Sequence, residues 1–559
     1  MLVRVTRYWL LRLARSFSAT GLLIGTLFLA ASLTPSLIPR TALTQGIVSG
    51  VCLAVGYGIG VASVWLWSYL ELPHPSLRVE RFVTLFAAAT CAVIAIAFLW
   101  QAAAWQNSIR LLMEMEPVDG AQPLRIGAIA LPIFAVLYLL GWLFHFIFDV
   151  TASWLRNHIP PRISHVVGIA VALALFWSLG NGVLINYGLR AADASFQKLD
   201  SLEEAWVKEP SAPRKTGSAA SLVAWKDLGR TGRAFVTSGP RQDEIGRFLG
   251  GEAKEPIRVY VGLNSADTPE ERAELALAEL VRSGAFKRKI LVVVTPTGTG
   301  WIDPGGVDSI EYLHRGDIAS VAVQYSYLQS WMALLLEPNY GAETARALFN
   351  EVYSYWRDLP KQSRPKLYLH GLSLGALNSE RSADLYDVIG EPFQGALWAG
   401  PPFSSETWRF ATNNRVPGSP AWRPGFRDAS IIRFTNQQDV PNKSGSPWGP
   451  IRIVYLQYAS DPITFFDPAA LYREPEWMRG RRGQDVSAEL QWFPIVTLLQ
   501  LTVDMASATA PPVGYGHVYA PEDYVEAWYA VTAPEGWEEA ELDRLKAYLS
   551  KRIHPRRKS

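Results

Sequence analysis

The sequence predicts two architectures in series: an all-α transmembrane domain of about five spans, then a doubly wound, mostly parallel α/β domain. Three observations predict it. The first lysine is Lys198 and acidic residues are sparse before it, so an apolar third precedes an ordinarily charged remainder. Within that third, five stretches reach the ~20 apolar residues that a bilayer crossing needs. Beyond it, β-rich runs alternate with helical ones, the pattern of a parallel sheet joined by crossover helices.

At 559 residues the chain has room for two or three domains. A net charge of +2 gives no reason to expect a nucleic-acid partner. The two cysteines, Cys52 and Cys91, both fall in apolar runs, so the polar part has no disulfide framework and no cysteine metal site. No cofactor is expected.

The expected spans are 17–37, 46–70, 82–105, 126–148 and 165–187. Arginine placement orients them. Arg4, Arg7, Arg12 and Arg15 precede the first span, Arg78 and Arg81 follow the second, and Arg156 and Arg162 follow the fourth. The alternate loops carry fewer, with Arg110 and Arg125 offset by Glu114, Glu116 and Asp119. The N-terminus is therefore expected in the cytoplasm of an inner-membrane protein, with everything after Arg190 outside. Gly56, Gly58 and Gly60 have the wrong spacing for a nucleotide loop and read as small residues that let spans approach.

The domain plan is 1–190 transmembrane, 191–256 connector and entry segment, 257–550 catalytic, and 551–559 a basic tail. Thr268-Pro269-Glu270-Glu271 opens a helix with an N-cap, a proline at the first position and a capping box. Ile290 to Val294 is a continuous apolar run, as expected of a strand buried on both faces. Further strands are expected at 257–261, 320–325, 366–370, 395–399, 430–434 and 451–457, and a helix at 342–356.

Chemistry gathers at Gly371-Leu372-Ser373-Leu374-Gly375. Strand, tight glycine turn, serine and helix (376–387) form the nucleophile elbow of an α/β-hydrolase. Triad order in that fold is nucleophile, acid, histidine. Of the histidines after the spans, His314 precedes the serine, His370 ends the elbow strand and His554 lies in the basic tail. That leaves His517, between glycines in Gly514-Tyr515-Gly516-His517. Asp461, emerging after a strong strand, is the favoured acid; Asp439 is the alternative, ahead of Asp467, Asp485 and Asp504. The oxyanion hole needs two backbone N–H groups. One falls to Leu374, the other to Thr297, Gly298 or Thr299 in the loop after the 290–294 strand. No metal is required. The apolar 487–506 stretch, between acid and histidine, reads as a lid helix or as a helix packed on the sheet.

With the elbow, Ser460-Asp461-Pro462-Ile463 and Gly514-Tyr515-Gly516-His517 in place, the chain resembles a bacterial family of membrane-anchored α/β-hydrolases, with an N-terminal multi-spanning domain and a C-terminal catalytic domain. The loop 295–303 and the elbow 370–375 are its specific pieces, and the Asp-Pro-Ile segment looks like the acid segment of cutinase-type esterases. Leu372 stands where many lipases carry histidine. The resemblance implies ester hydrolysis at a membrane and names no substrate. The expected protein is thus an integral-membrane serine hydrolase in contact with the lipid bilayer, acting on an ester, lipid-like by its location. Acyl transfer to a cell-envelope acceptor, or a non-catalytic binding protein with a hydrolase shell, are the alternatives.

Overall fold

A computed structural model of the chain describes residues 17–73, 76–120, 122–155, 160–178, 200, 207–328, 341–439, 441 and 446–554. It divides into two compact units. One comprises 1–189 together with 467–507; the other comprises 190–466 and 508–559.

The helical unit contains Ala19–Leu33, Ala42–Tyr69, Leu77–Leu112, Gln122–Leu155, Pro161–Trp177 and Val496–Ala506. Three of these, with 28, 36 and 34 residues, are long and apolar enough to cross a membrane. The expected first span stops after 15 residues at Leu33. Pro35 is the cause: proline removes a helical N–H and pushes the residue before it out of the helical region. The fifth is described as a 17-residue helix, and the remainder of that expected span lies outside the described residues. So do the basic N-terminal arginines.

Glycines set the helix spacing. A Cβ on Gly60 would lie 2.6 Å from Gly21 Cα, and one on Gly56 would lie 2.8 Å from Ile24 O. These two backbones therefore pack in direct contact, as small residues four apart allow. Gly58, between them, faces open space.

The segment expected as a lid or sheet-packed helix belongs to this unit. Val496–Ala506 packs on Ala19–Leu33 and Ala42–Tyr69. A buried ion pair holds it: Arg40 Nε and Nη2 each lie 2.7 Å from Asp504 Oδ1, with side chains 1% and 0% exposed. Ser36 Oγ and Leu37 N donate to Asp504 Oδ2. Arg40 Nη2 also donates to Gln500 O at 3.1 Å, and Gln500 Nε2 to Ser32 O at 3.1 Å. Removing one partner strands the other charge. Asp504→Ala should therefore cost about 3–5 kcal/mol, whereas Arg40→Met with Asp504→Leu should recover most of it. Thermal unfolding of the solubilised chain measures both; an unchanged single variant would refute this role.

The second unit is a seven-stranded, all-parallel sheet. Its strands are β1 Ile257–Val261, β2 Ile290–Thr295, β3 Ile318–Val323, β4 Lys366–Leu372, β5 Gly395–Ala399, β6 Ile432–Thr435 and β7 Arg452–Leu456. They lie in the order β1-β3-β2-β4-β5-β7-β6. Every residue of β1, β2, β3, β5 and β6 is buried, which explains the apolar run of Ile290 to Val294 in β2, while β1 and β6 each bury an arginine, Arg258 and Arg433. Helices Pro269–Ser283 and Ala342–Asp358 pack together as one flanking group; Pro304–Leu313, Pro521–Thr532 and Glu539–Ile553 form another. The capping box at Thr268 is present: Thr268 Oγ1 accepts from Glu271 N at 3.2 Å, and Glu271 Oε2 from Thr268 N at 3.1 Å. The helix after the elbow spans Leu374–Glu380 and ends well before 387.

Candidate active site

Ser373 follows β4 with φ +58° and ψ −127°, a backbone conformation that side chains resist. The glycines around it make room. A Cβ on Gly371 would sit 2.3 Å from Gly375 C, and one on Gly375 2.2 Å from Thr295 O. Strand, helix and the loop after β2 therefore converge to distances only glycine tolerates. Ser373 N donates to Ala399 O at 3.0 Å, which ties the elbow to the end of β5.

β7 delivers the acid. Asp461 is fully buried and its carboxylate collects five donors. Oδ1 accepts from Ile463 N at 2.8 Å and Thr464 N at 3.4 Å. Oδ2 accepts from Thr464 Oγ1 at 3.2 Å and Tyr519 OH at 2.6 Å, and lies 2.7 Å from His517 Nδ1. Nδ1–H therefore points at the carboxylate, and the neutral ring presents Nε2 as an acceptor. Nε2 is buried and has no hydrogen-bond partner among the described residues.

The histidine loop is built to hold that ring. Gly514 N donates to Val518 O at 2.8 Å and His517 N to Ala508 O at 2.9 Å, closing a tight turn. Gly516 N donates to Ser460 Oγ at 2.9 Å, which joins this turn to the acid loop. A Cβ on Gly400, directly after β5, would sit 2.6 Å from His517 Cε1. The imidazole therefore lies against the strand end to which Ser373 is bonded.

The other candidates lie elsewhere. Asp439 forms an ion pair with Arg423, both oxygens within 2.8 Å of Nη1, and does not meet His517. Asp467 accepts from Ala469 N at 2.8 Å as the cap of a short 3-10 turn. Asp504 belongs to the helical unit. His370 is buried, with Nδ1 2.8 Å from Leu397 O, and burial pushes it down to about 4. His314 sits 2.9 Å from Thr532 Oγ1 and is likewise pushed down by burial to about 4.

Leu374 N–H, first of its helix, has no acceptor among the described residues. In the opposing loop Thr297 is a correction. Its N–H closes a turn onto Trp301 O at 2.9 Å, and its Oγ1 donates to the same oxygen at 3.1 Å. Thr297 thus has no N–H to offer in this geometry. Thr299 N–H has no acceptor among the described residues.

Three residues escaped the sequence reading. Tyr519 donates to the acid; it stands two residues after His517, just past the turn that holds the ring. Asp303 caps helix Pro304–Leu313 by accepting from Gly305 N at 2.9 Å. Burial pushes its carboxyl up to about 6, with Tyr524 and His517 as ionisable neighbours. The Asp303-Pro304 pair is a helix-start signal that could have located it. Asp523, pushed up to about 7 by burial, accepts from Tyr458 OH. Tyr458 stacks on Tyr519 at 4.4 Å.

A parallel sheet carrying a strained serine at the end of a central strand, with a histidine and a buried acid supplied after later strands, defines the hydrolase class of α/β folds. The chain belongs to the α/β-hydrolase family: the family model matches residues 257–545, and the model of that family's N-terminal region matches residues 33–240. No curated protein and no solved structure matches the chain.

Proposed function

We propose that the protein is a serine hydrolase that cleaves carboxylic esters through Ser373, His517 and Asp461. One observation carries the reading. His517 Nδ1 is 2.7 Å from a fully satisfied Asp461, while its buried Nε2 is unbonded and its ring packs on Gly400 beside the elbow. Ser373 Oγ attacks the acyl carbon as Nε2 takes its proton, and Asp461 stabilises the resulting imidazolium. The tetrahedral oxyanion is received by Leu374 N–H and the Thr299 side of the facing loop. His517 returns the proton to the leaving alkoxide. Water then resolves the acyl-enzyme; an alcohol in its place would make the same centre an acyltransferase.

The helices long enough to cross a membrane support a lipid-like ester as substrate. The arginine pattern supports an inner-membrane protein whose catalytic domain faces outward. Fluorogenic esters of graded acyl length, offered to the solubilised full chain, test the proposal. Turnover dependent on Ser373 is the expected result, and its absence across the series would overturn it.

Tyr519→Phe gives a second test. It removes a donor from Asp461 Oδ2, so the carboxylate becomes more basic and draws the His517 proton more firmly. The acid limb of kcat/KM should move to higher pH, by up to about one unit. Asp303, Asp523, Tyr458 and Tyr524 are the other ionisable groups around this cluster, and none is altered by the substitution. An unchanged limb would show that Tyr519 only packs.

A further inference from the structure

A second cleft lies at the other end of the catalytic sheet. Its volume is about 840 Å³, and Arg214, Lys215, Lys254, Arg282, Lys287 and Arg288 contribute to its lining. Residues just before β1 and β2 form its floor, whereas Ser373 follows the opposite end of β4. Strand length separates the two sites by roughly 20 Å.

Most clefts rich in arginine are neutralised internally, and part of this one is. Arg282 is spent on Glu279 and on the carbonyl of Pro213. Arg258, on the cleft floor, is closed off by Asp308 and Glu311. The remainder does not balance. Lys215 meets Glu255 at 2.8 Å and Lys254 meets Asp317 at 2.9 Å. Arg288 has only Asp317 at 4.0 Å, already engaged, and gives its Nη atoms to Gly316 O and Glu255 O. Arg214 and Lys287 have no ion pair among the described residues. Five cations thus face two carboxylates, a local excess of three, in a chain whose net charge is only +2. Burial, and then the nearness of Arg214, hold the Arg288 guanidinium below its ordinary range, so these charges crowd one another. A concave surface concentrates such a field and attracts a compact anion.

We infer that this cleft binds a phosphate-bearing anion, with Arg214, Lys287 and Arg288 as the charges that recognise it. Phosphate esters carry about two negative charges, which offsets most of that excess, and arginine forks suit their oxygens. The cleft falls within the ~300–1,000 Å³ typical of small-ligand pockets, so it has room for a diphosphate or for a phosphate with an organic remainder. The same chemistry is offered by a soluble phosphorylated molecule and by a lipid headgroup.

The test uses the full chain in nanodiscs of neutral lipid, titrated calorimetrically with pyrophosphate. Saturable binding is expected, weakening with salt. Arg214→Glu with Lys287→Glu should reduce affinity at least tenfold, and Arg214→Gln with Lys287→Gln by a smaller factor; both positions are exposed and outside the triad. In discs containing phosphatidylglycerol, a lipid source predicts that pyrophosphate no longer finds a free site, and a soluble source predicts unchanged binding. No saturable binding in neutral discs, or equal binding by the charge-reversed variant, would overturn the inference. Ester turnover is read separately, so failure here leaves the hydrolase proposal intact.

Discussion

Ser373→Ala is expected to lower ester turnover by on the order of 10⁶-fold, because no other group replaces the attacking oxygen. The fold should survive it. Ser373 sits at φ +58°, and alanine is strained there to the same degree as serine. Glycine is not, so Ser373→Gly should be equally inactive yet more stable by about 1 kcal/mol. Measuring turnover and thermal unfolding on both variants separates chemistry from strain. Residual activity near the wild-type level would remove Ser373 from the mechanism. A glycine variant less stable than the alanine one would mean that the elbow is not under strain.

Asp461→Asn is expected to cost about 10⁴-fold in turnover. The carboxylate accepts from every neighbour: two backbone N–H groups, Thr464 Oγ1, Tyr519 OH and His517 Nδ1–H. An amide cannot do this. Whichever way it is turned, its NH₂ meets at least one donor, and His517 loses the partner that selects its tautomer. Misaligned donors inside a buried cluster should also lower stability by about 1–3 kcal/mol. Asp439→Asn, at an ion pair with Arg423 and not bonded to His517, should leave turnover unchanged. The reverse pattern would exchange their roles.

Local rules carried the sequence reading where the determinants are local. G-x-S-x-G announces an elbow because strand and helix cannot close around a serine unless both flanking residues lack a Cβ, and Gly371 and Gly375 meet backbone at 2.3 and 2.2 Å. The buried strands declared themselves by apolar runs, and the helix at Pro269 by its cap. Long-range choices were not legible. Asp439 and Asp461 both follow strands, and only the packed chain pairs one with Arg423 and the other with His517. Arg40 and Asp504 stand 464 residues apart, so nothing near either announces that the 467–507 segment folds with the helical unit. Hydropathy alone carried the first span past Pro35, where backbone chemistry ends the helix. Thr297, Gly298 and Thr299 could not be told apart by position in the loop; the turn that consumes the Thr297 N–H depends on where Trp301 O falls.

That division has a consequence for the catalytic residues. The chain leaves the catalytic unit after Phe466, five residues past Asp461, and returns at Ala508, nine residues before His517. Both segments that carry the acid and the histidine are therefore covalently continuous with a segment folded into the helical unit.

The most direct measurement of the central claim is covalent trapping of the nucleophile. The purified full chain is treated with a fluorophosphonate, digested, and the adduct located by mass spectrometry. Attack by Ser373 Oγ on phosphorus, with fluoride leaving, predicts a single adduct on the peptide that contains Ser373, absent from Ser373→Ala and strongly slowed in His517→Ala. A folded wild-type chain that stays unlabelled, or that labels equally without Ser373, would contradict it.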